Sequence, residues 1–219
     1  MTGSTGRRPA DVYYDGILPG VERPSRYIDR ELNLSGTGYI EGAFNTLLVF
    51  PDVYEIGMSH QGLRLLYHHL ARAGFPVEFA FSPWPDMEKR LRASGDTLRS
   101  WQTGTPVGRF DLVGITMPYE LHYTNILAFL DVSGIPLEAS ARSASDPLVV
   151  AGGPCSSNPL PILRGLDAVF LGDGEESLRE AVELLSGMKA EKGGAGTAAG
   201  RDGMKKALAG IRGVHVEGI

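Results

Sequence analysis

Four short stretches of this sequence concentrate the residue types that bind ligands. Each follows an apolar run, and they read PDVYEIGMSHQG (51–62), GITMPYE (114–120), AGGPCSSNP (151–159) and LGDGEES (171–177). Hydroxyl and carboxylate side chains supply hydrogen-bonding groups there, and glycine lets a ligand approach the backbone closely. Turn formation alone also favours glycine and aspartate, so a single loop of this kind would indicate little. Four of them together predict a ligand-binding edge.

No catalytic or metal-binding motif accompanies these stretches in the sequence. The 5 histidines lack metal-ligand spacing. The single cysteine, Cys155, excludes an internal disulfide framework and an all-cysteine metal or cluster site. The stretch GDGEES (172–177) has Gly-x-Gly spacing but lacks the third glycine of a dinucleotide fingerprint, and no GxxxxGK sequence occurs. These residues therefore predict ligand binding rather than independent catalysis.

The composition is that of an ordinary globular domain. The chain has 219 residues, 42% of them hydrophobic and 21% charged, with a net charge of -5. No basic block is present, which argues against nucleic acid as a partner. No apolar run approaches the roughly 20 residues that cross a bilayer, and the N-terminus lacks the apolar core of a signal peptide. We therefore expect no membrane partner and a cytoplasmic location.

Five apolar strands that alternate with helices must position the four loops. We predict strands at 45–52, 77–84, 111–119, 147–154 and 167–172, and helices at 62–73, 85–95, 120–134 and 174–187. This alternation predicts an α/β fold with a doubly wound, five-stranded parallel sheet of the flavodoxin-like or Rossmann-like kind. We expect the strand order 2-1-3-4-5. Ligands of such sheets bind beyond the carboxyl ends of the strands, where the four loops lie.

The chain outside this pattern has a different character. Residues 1–43 have little periodicity, which predicts an extended N-terminal arm with a short helical turn. We expect residues 44–188 to form the α/β domain. The stretch KAEKGGAGTAAGRDG (189–203) is poor in large apolar residues and predicts a flexible linker. Residues 204–219 read as one more short helix and a strand. We expect 189–219 to be this linker and the truncated start of a following element, and the chain to be a fragment or a module that needs a partner.

The loop after the first strand resembles a known cofactor motif. Cobalamin-binding domains of the methionine-synthase and mutase type carry Asp-x-His-x-x-Gly after the first strand, Ser-x-Leu after the third and Gly-Gly after the fourth. Here Asp52 and Gly57 stand in the first motif, Thr116 opens the second, and Gly152-Gly153 matches the third. Two positions depart from the pattern, since Tyr54 replaces the histidine and Pro118 replaces the leucine.

Longer stretches resemble one family more closely. They read LPGVERPSRYIDRELN, FPDVYEIGMSHQGLRLLYHHL, FSPWPDMEKRL, YELHYTNILAFLDVSGIPL, VVAGGPCSSNPLPI and GDGEE, and they cover most of residues 17–187. They are similar to the N-terminal region of radical SAM proteins that contain a cobalamin (vitamin B12)-binding domain. The resemblance implies a cobalamin-binding fold here. It also implies a following radical SAM barrel, in cis or in trans, whose Cys-x-x-x-Cys-x-x-Cys motif would hold a [4Fe-4S] cluster for S-adenosylmethionine.

The resemblance also implies a set of cofactor-binding residues. Glycine would let the backbone approach a large planar ligand and its nucleotide tail, and Thr116 would hydrogen-bond that tail. A neutral tyrosine is a poor cobalt ligand, so Tyr54 implies cobalamin bound without a histidine lower ligand. The set comprises Asp52, Tyr54, Gly57, Met58, Ser59, Thr116, Gly152, Gly153, Pro154 and Gly172.

Two other functions compete with a cobalamin-binding module of a radical SAM enzyme. One is a vestigial structural domain that positions or shields a radical SAM barrel and binds nothing, which the replacements at Tyr54 and Pro118 favour. The other is a free-standing binder of a small anionic ligand. The acidic residues Asp173, Glu175 and Glu176 at the predicted site argue against an anion.

Overall fold

The computed structural model describes residues 16–29, 31–32, 34, 36–191 and 198–218. Within that part of the chain, six strands form one sheet: β1 (Thr46–Phe50), β2 (Val77–Phe81), β3 (Leu112–Thr116), β4 (Leu148–Gly152), β5 (Ala168–Phe170) and β6 (Val214–His215). Their order is β2-β1-β3-β4-β5-β6. Neighbours among the first five pair in parallel, and β6 pairs with β5 in antiparallel.

The predicted order of the five parallel strands is therefore confirmed, but the predicted count of five is wrong. The sheet is mixed because β6 adds an antiparallel edge strand, whose residues Val214 and His215 pair with Phe170 and Val169. A strand of two residues carries too little periodicity to be assigned to a sheet from sequence. It forms because the chain returns to the open edge of β5, where unpaired backbone groups remain available.

Helices cover both faces of the sheet. They are α1 (Tyr54–Gly57), α2 (Gln61–Arg72), α3 (Pro85–Ser94), α4 (His122–Val132), α5 (Gly174–Glu191) and α6 (Ala198–Ala209). Side chains alternate along each strand, so Leu47 of β1 packs into a core with α3 and α4, while Leu48 packs into a second core with α2, α5 and α6. None of the helices described here is long and apolar enough to cross a membrane.

The part of the N-terminal arm that the structure describes, which begins at Gly16, packs onto the α/β core instead of extending from it. Its short 3₁₀ helices, Leu18–Gly20 and Pro24–Tyr27, bury Leu18 and Tyr27 against the α3 and α4 side. Farther along the arm, the Tyr39 N–H donates to the buried Glu78 carboxylate of β2 at 2.6 Å. The arm thus contacts the β2 side of the sheet, while the backbone edge of β2 is bonded by the Trp101 N–H, which donates to the Phe79 carbonyl at 2.8 Å.

Most of the predicted linker that the structure describes is helical. Residues 189–191 complete α5, and α6 begins at Ala198; residues 192–197 lie outside the described part. The guanidinium of Arg201 in α6 lies 2.7 Å from the buried Asp167 carboxylate, and Leu208 is fully buried. Residues 198–218 therefore complete the core of this domain, although the exact domain limits stay a prediction.

Candidate functional site

A cavity of about 530 Å³ opens at the carboxyl edge of the sheet, on the face covered by α2 and α5. Its size lies within the range of pockets that enclose small-molecule ligands. Four of the parallel strands contribute to its walls, and the first turns of α2 and α5 form its rim. The lining residues are Leu48, His60, Gly62, Leu63, Leu66, Gly114, Ile115, Thr116, Val150, Ala151, Gly152, Gly153, Pro154, Ser156, Ser157, Phe170, Leu171, Gly172, Asp173, Gly174, Glu175 and Leu178.

The floor of the cavity exists because two strands carry glycine. Gly114 of β3 lies between Leu48 of β1 and Val150 of β4 in the paired register. A Cβ at Gly114 would lie 3.5 Å from the nearest atom of Leu48, which is an ordinary contact. Packing of the protein alone therefore does not require glycine there, and the missing side chain leaves space for a ligand. Gly152 extends the floor toward the edge, beside Phe170.

Gly153 has a different role, because it shapes the turn that closes one side of the cavity. Its φ of +118° is in a region that other residues rarely adopt, and a Cβ there would lie 3.0 Å from the carbonyl oxygen of Met117. The turn brings the loops after β3 and β4 together, since the Cys155 N–H donates to the Met117 carbonyl at 3.1 Å. The cavity wall at Pro154 depends on this close approach.

The cavity changes from polar at its mouth to apolar at its deep end. The row of Thr116, Gly152 and Phe170 lies at the ends of their strands. The row of Leu48, Gly114 and Val150 lies two residues, or roughly 6–7 Å, farther into the sheet. Hydroxyl groups of Thr116, Ser156 and Ser157 line the outer part, whereas the deep wall has only aliphatic side chains and glycine.

His60 lies at the rim of the cavity and caps α2. Its Nδ1 accepts a hydrogen bond from the Leu63 N–H at 3.1 Å, which assigns the ring proton to Nε2. Its ring packs against Phe50 with centroids 5.0 Å apart. Partial burial lowers the pKa of His60 from its ordinary value of 6.5, so the ring stays neutral near pH 7. A neutral ring can donate from Nε2 to a ligand in the cavity.

Acidic groups stand on the opposite rim, at the start of α5. Asp173 and Glu175 line the cavity where they are favourably placed for the helix dipole. Their charge opposes the binding of a ligand with several negative charges. A neutral ligand meets no such penalty, and a ligand with a single negative charge meets a smaller one.

The loop after β1 forms its own hydrogen-bonded cluster. Asp52 Oδ1 accepts from the Val53 N–H at 2.7 Å, and Oδ2 lies 3.4 Å from Nε2 of His122. His122 is 1% exposed, and its Nδ1 has no hydrogen-bond partner among the described residues. The amide of Asn125 donates to the Pro51 carbonyl at 3.0 Å and ties the loop to α4.

Tyr54 points toward the N-terminal arm and does not line the cavity. Its ring stacks on Trp101 with centroids 5.2 Å apart, and its hydroxyl donates to Glu31 of the arm. Burial and the Glu31 carboxylate raise the pKa of Tyr54 well above its usual value, so the phenol stays neutral. A second tie holds α1 to the arm, because Glu55 lies 2.7 Å from Nε of Arg26.

The remaining predicted residues of this loop also lie outside the cavity lining. Gly57 packs so closely that a Cβ would lie 2.4 Å from the Phe81 ring. Met58 is buried in the core beside α2, and the exposed Ser59 hydroxyl donates to the Ile56 carbonyl at 2.8 Å. The cavity thus brings together Thr116, Gly152, Gly153, Pro154 and Gly172 from the predicted set, but not Asp52, Tyr54, Gly57, Met58 or Ser59.

Sequence reasoning missed the two features that define the cavity most directly. Gly114 stands inside an apolar strand, a position that signals a close approach of a ligand or another chain. His60 gave no usable signal, since its role depends on the cap that it makes to α2. No group of three or more His, Cys, Asp or Glu residues that could hold a metal ion occurs in the part of the chain that the structure describes.

Comparisons with known proteins find one matching family model and no matching curated protein. The sequence model of the family described as "Radical SAM proteins, N-terminal" matches residues 62–216. No curated protein matches the chain.

Two similar solved structures are of the radical S-adenosylmethionine methyltransferase TsrM from Kitasatospora setae. The one with cobalamin and a [4Fe-4S] cluster bound has a TM-score of 0.45 at 18% identity. The one with tryptophan substrate and a SAM analog bound has a TM-score of 0.46 at 20% identity. The match covers 78% of this chain and 28% of the other chain in both cases, so this chain spans less than a third of their length.

Proposed function

The chain belongs to the family of radical SAM protein N-terminal regions, and on that premise we propose that it is a cobalamin-binding module of a radical SAM enzyme. The observation that carries the proposal is the cavity of about 530 Å³ at the carboxyl edge of the sheet, with its glycine floor. Bound cobalamin would supply a cobalt ion that can carry a methyl group. The residues of this chain would bind and orient it.

The cavity suits the nucleotide tail of cobalamin. A Cβ at Gly114 or Gly152 would occupy the space where the flat base of the tail would lie against the sheet. The hydroxyls of Thr116 and Ser156 would hydrogen-bond the sugar and phosphate at the mouth. The Ser157 hydroxyl donates to the Pro154 carbonyl at 3.2 Å, so it would accept from a sugar hydroxyl. The corrin ring, too large for the cavity, would lie outside it above the strand ends.

The residues present do not suit a protein lower ligand from the first loop. Tyr54 is neutral and turned toward Glu31 and Trp101, so it would not reach the cobalt. His122 is buried against Asp52. We therefore propose that cobalamin binds without nitrogen from either residue. His60 is the histidine that lines the cavity, and its Nδ1 is already used by the α2 cap.

The iron–sulfur part of the enzyme would come from outside this sequence. The chain has 1 cysteine, and a Cys-x-x-x-Cys-x-x-Cys motif needs three. We propose that a radical SAM barrel, covalently continuous with this module or supplied as a partner, holds the [4Fe-4S] cluster and S-adenosylmethionine.

A titration with a matched pair of glycine variants tests the proposal. Hydroxocobalamin and cob(II)alamin are added to the purified chain, and the visible spectrum is followed. Gly114→Val places a side chain on the cavity floor, where valine suits a strand. Gly187→Val makes the same change on the exposed surface of α5, where a Cβ meets nothing within 4 Å.

We expect saturable binding to the native chain and to Gly187→Val, with affinity weakened at least roughly tenfold by Gly114→Val. The cob(II)alamin EPR spectrum should lack coupling to a protein nitrogen. Coupling that disappears in His60→Asn would instead assign the lower ligand to His60. Absence of saturable binding in both oxidation states would contradict the proposal.

A second function has support from the first loop. Asp52 and Tyr54, the two residues nearest to a ligating role in the resemblance, are both engaged by other side chains of this protein. These contacts favour a structural domain that positions a radical SAM barrel without binding cobalamin. The same titration separates the two functions, because a structural domain would not give saturable binding.

A further inference from the structure

We propose that the deep end of the cavity selects the base of the corrinoid tail and favours a methylated benzimidazole over a purine. This inference rests on the proposed function, since it concerns the same cavity. Natural corrinoids share the corrin ring but differ in the base that ends the nucleotide tail. Selection of that base is a separate property from binding of the corrin ring.

The side chains at the deep end offer no hydrogen bond to a base. Leu48, Leu63, Val150 and Leu178 line this end, and each is less than a tenth exposed. Gly114 completes the floor without a side chain. A dimethylbenzimidazole presents a carbon ring and two methyl groups to such a wall, and all of these atoms gain from leaving water.

The backbone of the deep end is equally unable to receive a polar base. Leu48 pairs with Gly114, and Gly114 pairs with Val150, in the parallel ladder. Their N–H and C=O groups are therefore directed at one another along the sheet. Adenine in the same position would bury its exocyclic amine and ring nitrogens without partners, and unpaired buried polar groups weaken binding strongly.

The polar groups of the cavity lie near its mouth, where they could bind the sugar and phosphate of the nucleotide tail. Thr116 lies toward the mouth, two residues nearer the strand ends than Gly114 and Val150, and Ser156 and Ser157 follow the end of β4. Asp173 and Glu175 repel negative charge, and the single phosphodiester charge of the tail meets less repulsion than a polyphosphate would. The cavity thus matches a tail that is apolar at its base and polar at its sugar and phosphate.

Three corrinoids measured against the same purified chain test the inference. They are cobalamin, the cobamide with adenine as its base, and cobinamide, which has no nucleotide tail. Dissociation constants are determined by visible titration and by calorimetry. We expect cobalamin to bind at least roughly tenfold more tightly than either of the others.

Two valine variants test whether the deep end of the cavity causes the preference for one base over the other. Val150→Thr introduces a hydroxyl at the deep end and should reduce the preference for cobalamin over the adenine form. Val149→Thr introduces the same hydroxyl on the opposite face of the sheet, in the core with α3 and α4, and should leave the preference unchanged. Circular dichroism and urea unfolding establish that both variants are folded before affinities are compared.

The outcomes separate this inference from the proposed function. Equal affinities for cobalamin and the adenine cobamide would overturn the inference of base selection. They would leave the proposed cobalamin-binding function intact. Cobinamide binding as tightly as cobalamin would also overturn it, because the tail would then contribute nothing in the cavity. If none of the three corrinoids binds, the proposed function itself fails and takes this inference with it.

Discussion

The carboxylate of Asp52 and the imidazole of His122 form a pair across two elements, with Oδ2 3.4 Å from Nε2. Asp52 follows β1, and His122 opens α4 and is 1% exposed. In the cobalamin motif that the first loop resembles, an aspartate supports a histidine two residues later. Here Tyr54 occupies that position, and the aspartate contacts a histidine from another part of the chain.

We expect this pair to stabilise the junction of β1 and α4. His122→Ala would leave a cavity beside Phe50, whose ring centroid lies 5.5 Å from that of His122. The free energy of unfolding should fall by about 2–4 kcal/mol, and Asp52→Ala should lower it by about 1 kcal/mol. Urea unfolding of both single variants and the double variant gives their coupling. Additive effects within about 0.3 kcal/mol would contradict a direct interaction.

Restoring a histidine at position 54 should not restore a histidine ligand. The side chain at this position is directed to Trp101 and the arm by the geometry of α1. In cob(II)alamin complexes of Tyr54→His, the EPR spectrum should therefore show no more nitrogen coupling than the native chain. New nitrogen coupling in that variant would show that α1 can turn toward the ligand. Tyr54→Phe, which keeps the ring but not the hydroxyl bonded to Glu31, serves as the control.

The α2 cap should make stability depend on pH. Burial lowers the pKa of His60 in the folded protein below 6.5, so the unfolded chain takes up this proton first as the pH falls. The stabilisation is fully present above about pH 6.5 and is lost as the pH drops through the lowered pKa. Protonation of Nδ1 would also remove the hydrogen bond from Leu63.

Unfolding free energies measured between pH 8 and pH 5 check this dependence. His60→Asn keeps a capping side chain and should flatten the fall in stability, whereas His60→Ala should cost about 1 kcal/mol at pH 8 by loss of the cap. His215→Asn, which changes an exposed histidine, serves as the control. An unchanged slope in His60→Asn would remove His60 as the source.

The buried ion pairs at the opposite edge of the sheet should be the largest electrostatic contribution to stability among these sites. Asp167 is fully buried, and its Oδ2 lies 3.0 Å from Arg142 and 2.7 Å from Arg201. Arg201→Ala removes one partner of Asp167 and the hydrogen bonds that Arg201 donates to the Asp146 and Pro147 carbonyls, so we expect the free energy of unfolding to fall by about 3 kcal/mol. Arg179→Ala, which breaks the exposed pair with Glu183, should cost less than about 0.5 kcal/mol. Thermal and urea unfolding measure the loss of stability in the Arg201→Ala and Arg179→Ala variants.

The sequence by itself determined the parallel part of the fold. Continuous apolar strands bounded by glycine and proline cannot be stable unless both faces are covered, which requires helices between them. That alternation predicted a parallel sheet and so placed Thr116, Gly152, Gly153, Pro154 and Gly172 at one edge. The order of β1 to β5 did not follow from the alternation; it was an expectation taken from flavodoxin-like folds, and the structure confirms it. The family resemblance followed from the same stretches.

Tertiary packing alone decided which loop residues reach the cavity. Asp52 and Tyr54 are close in sequence to the predicted site, but their directions depend on His122 in α4 and Glu31 in the arm, 70 and 23 residues away. Gly114 forms the floor of the cavity only because the sheet places it between Leu48 of β1 and Val150 of β4. Such contacts join residues that are far apart along the chain, so no local sequence pattern predicts them. The closing of the sheet by β6 has the same cause, since the free edge of β5 exists only in the folded protein.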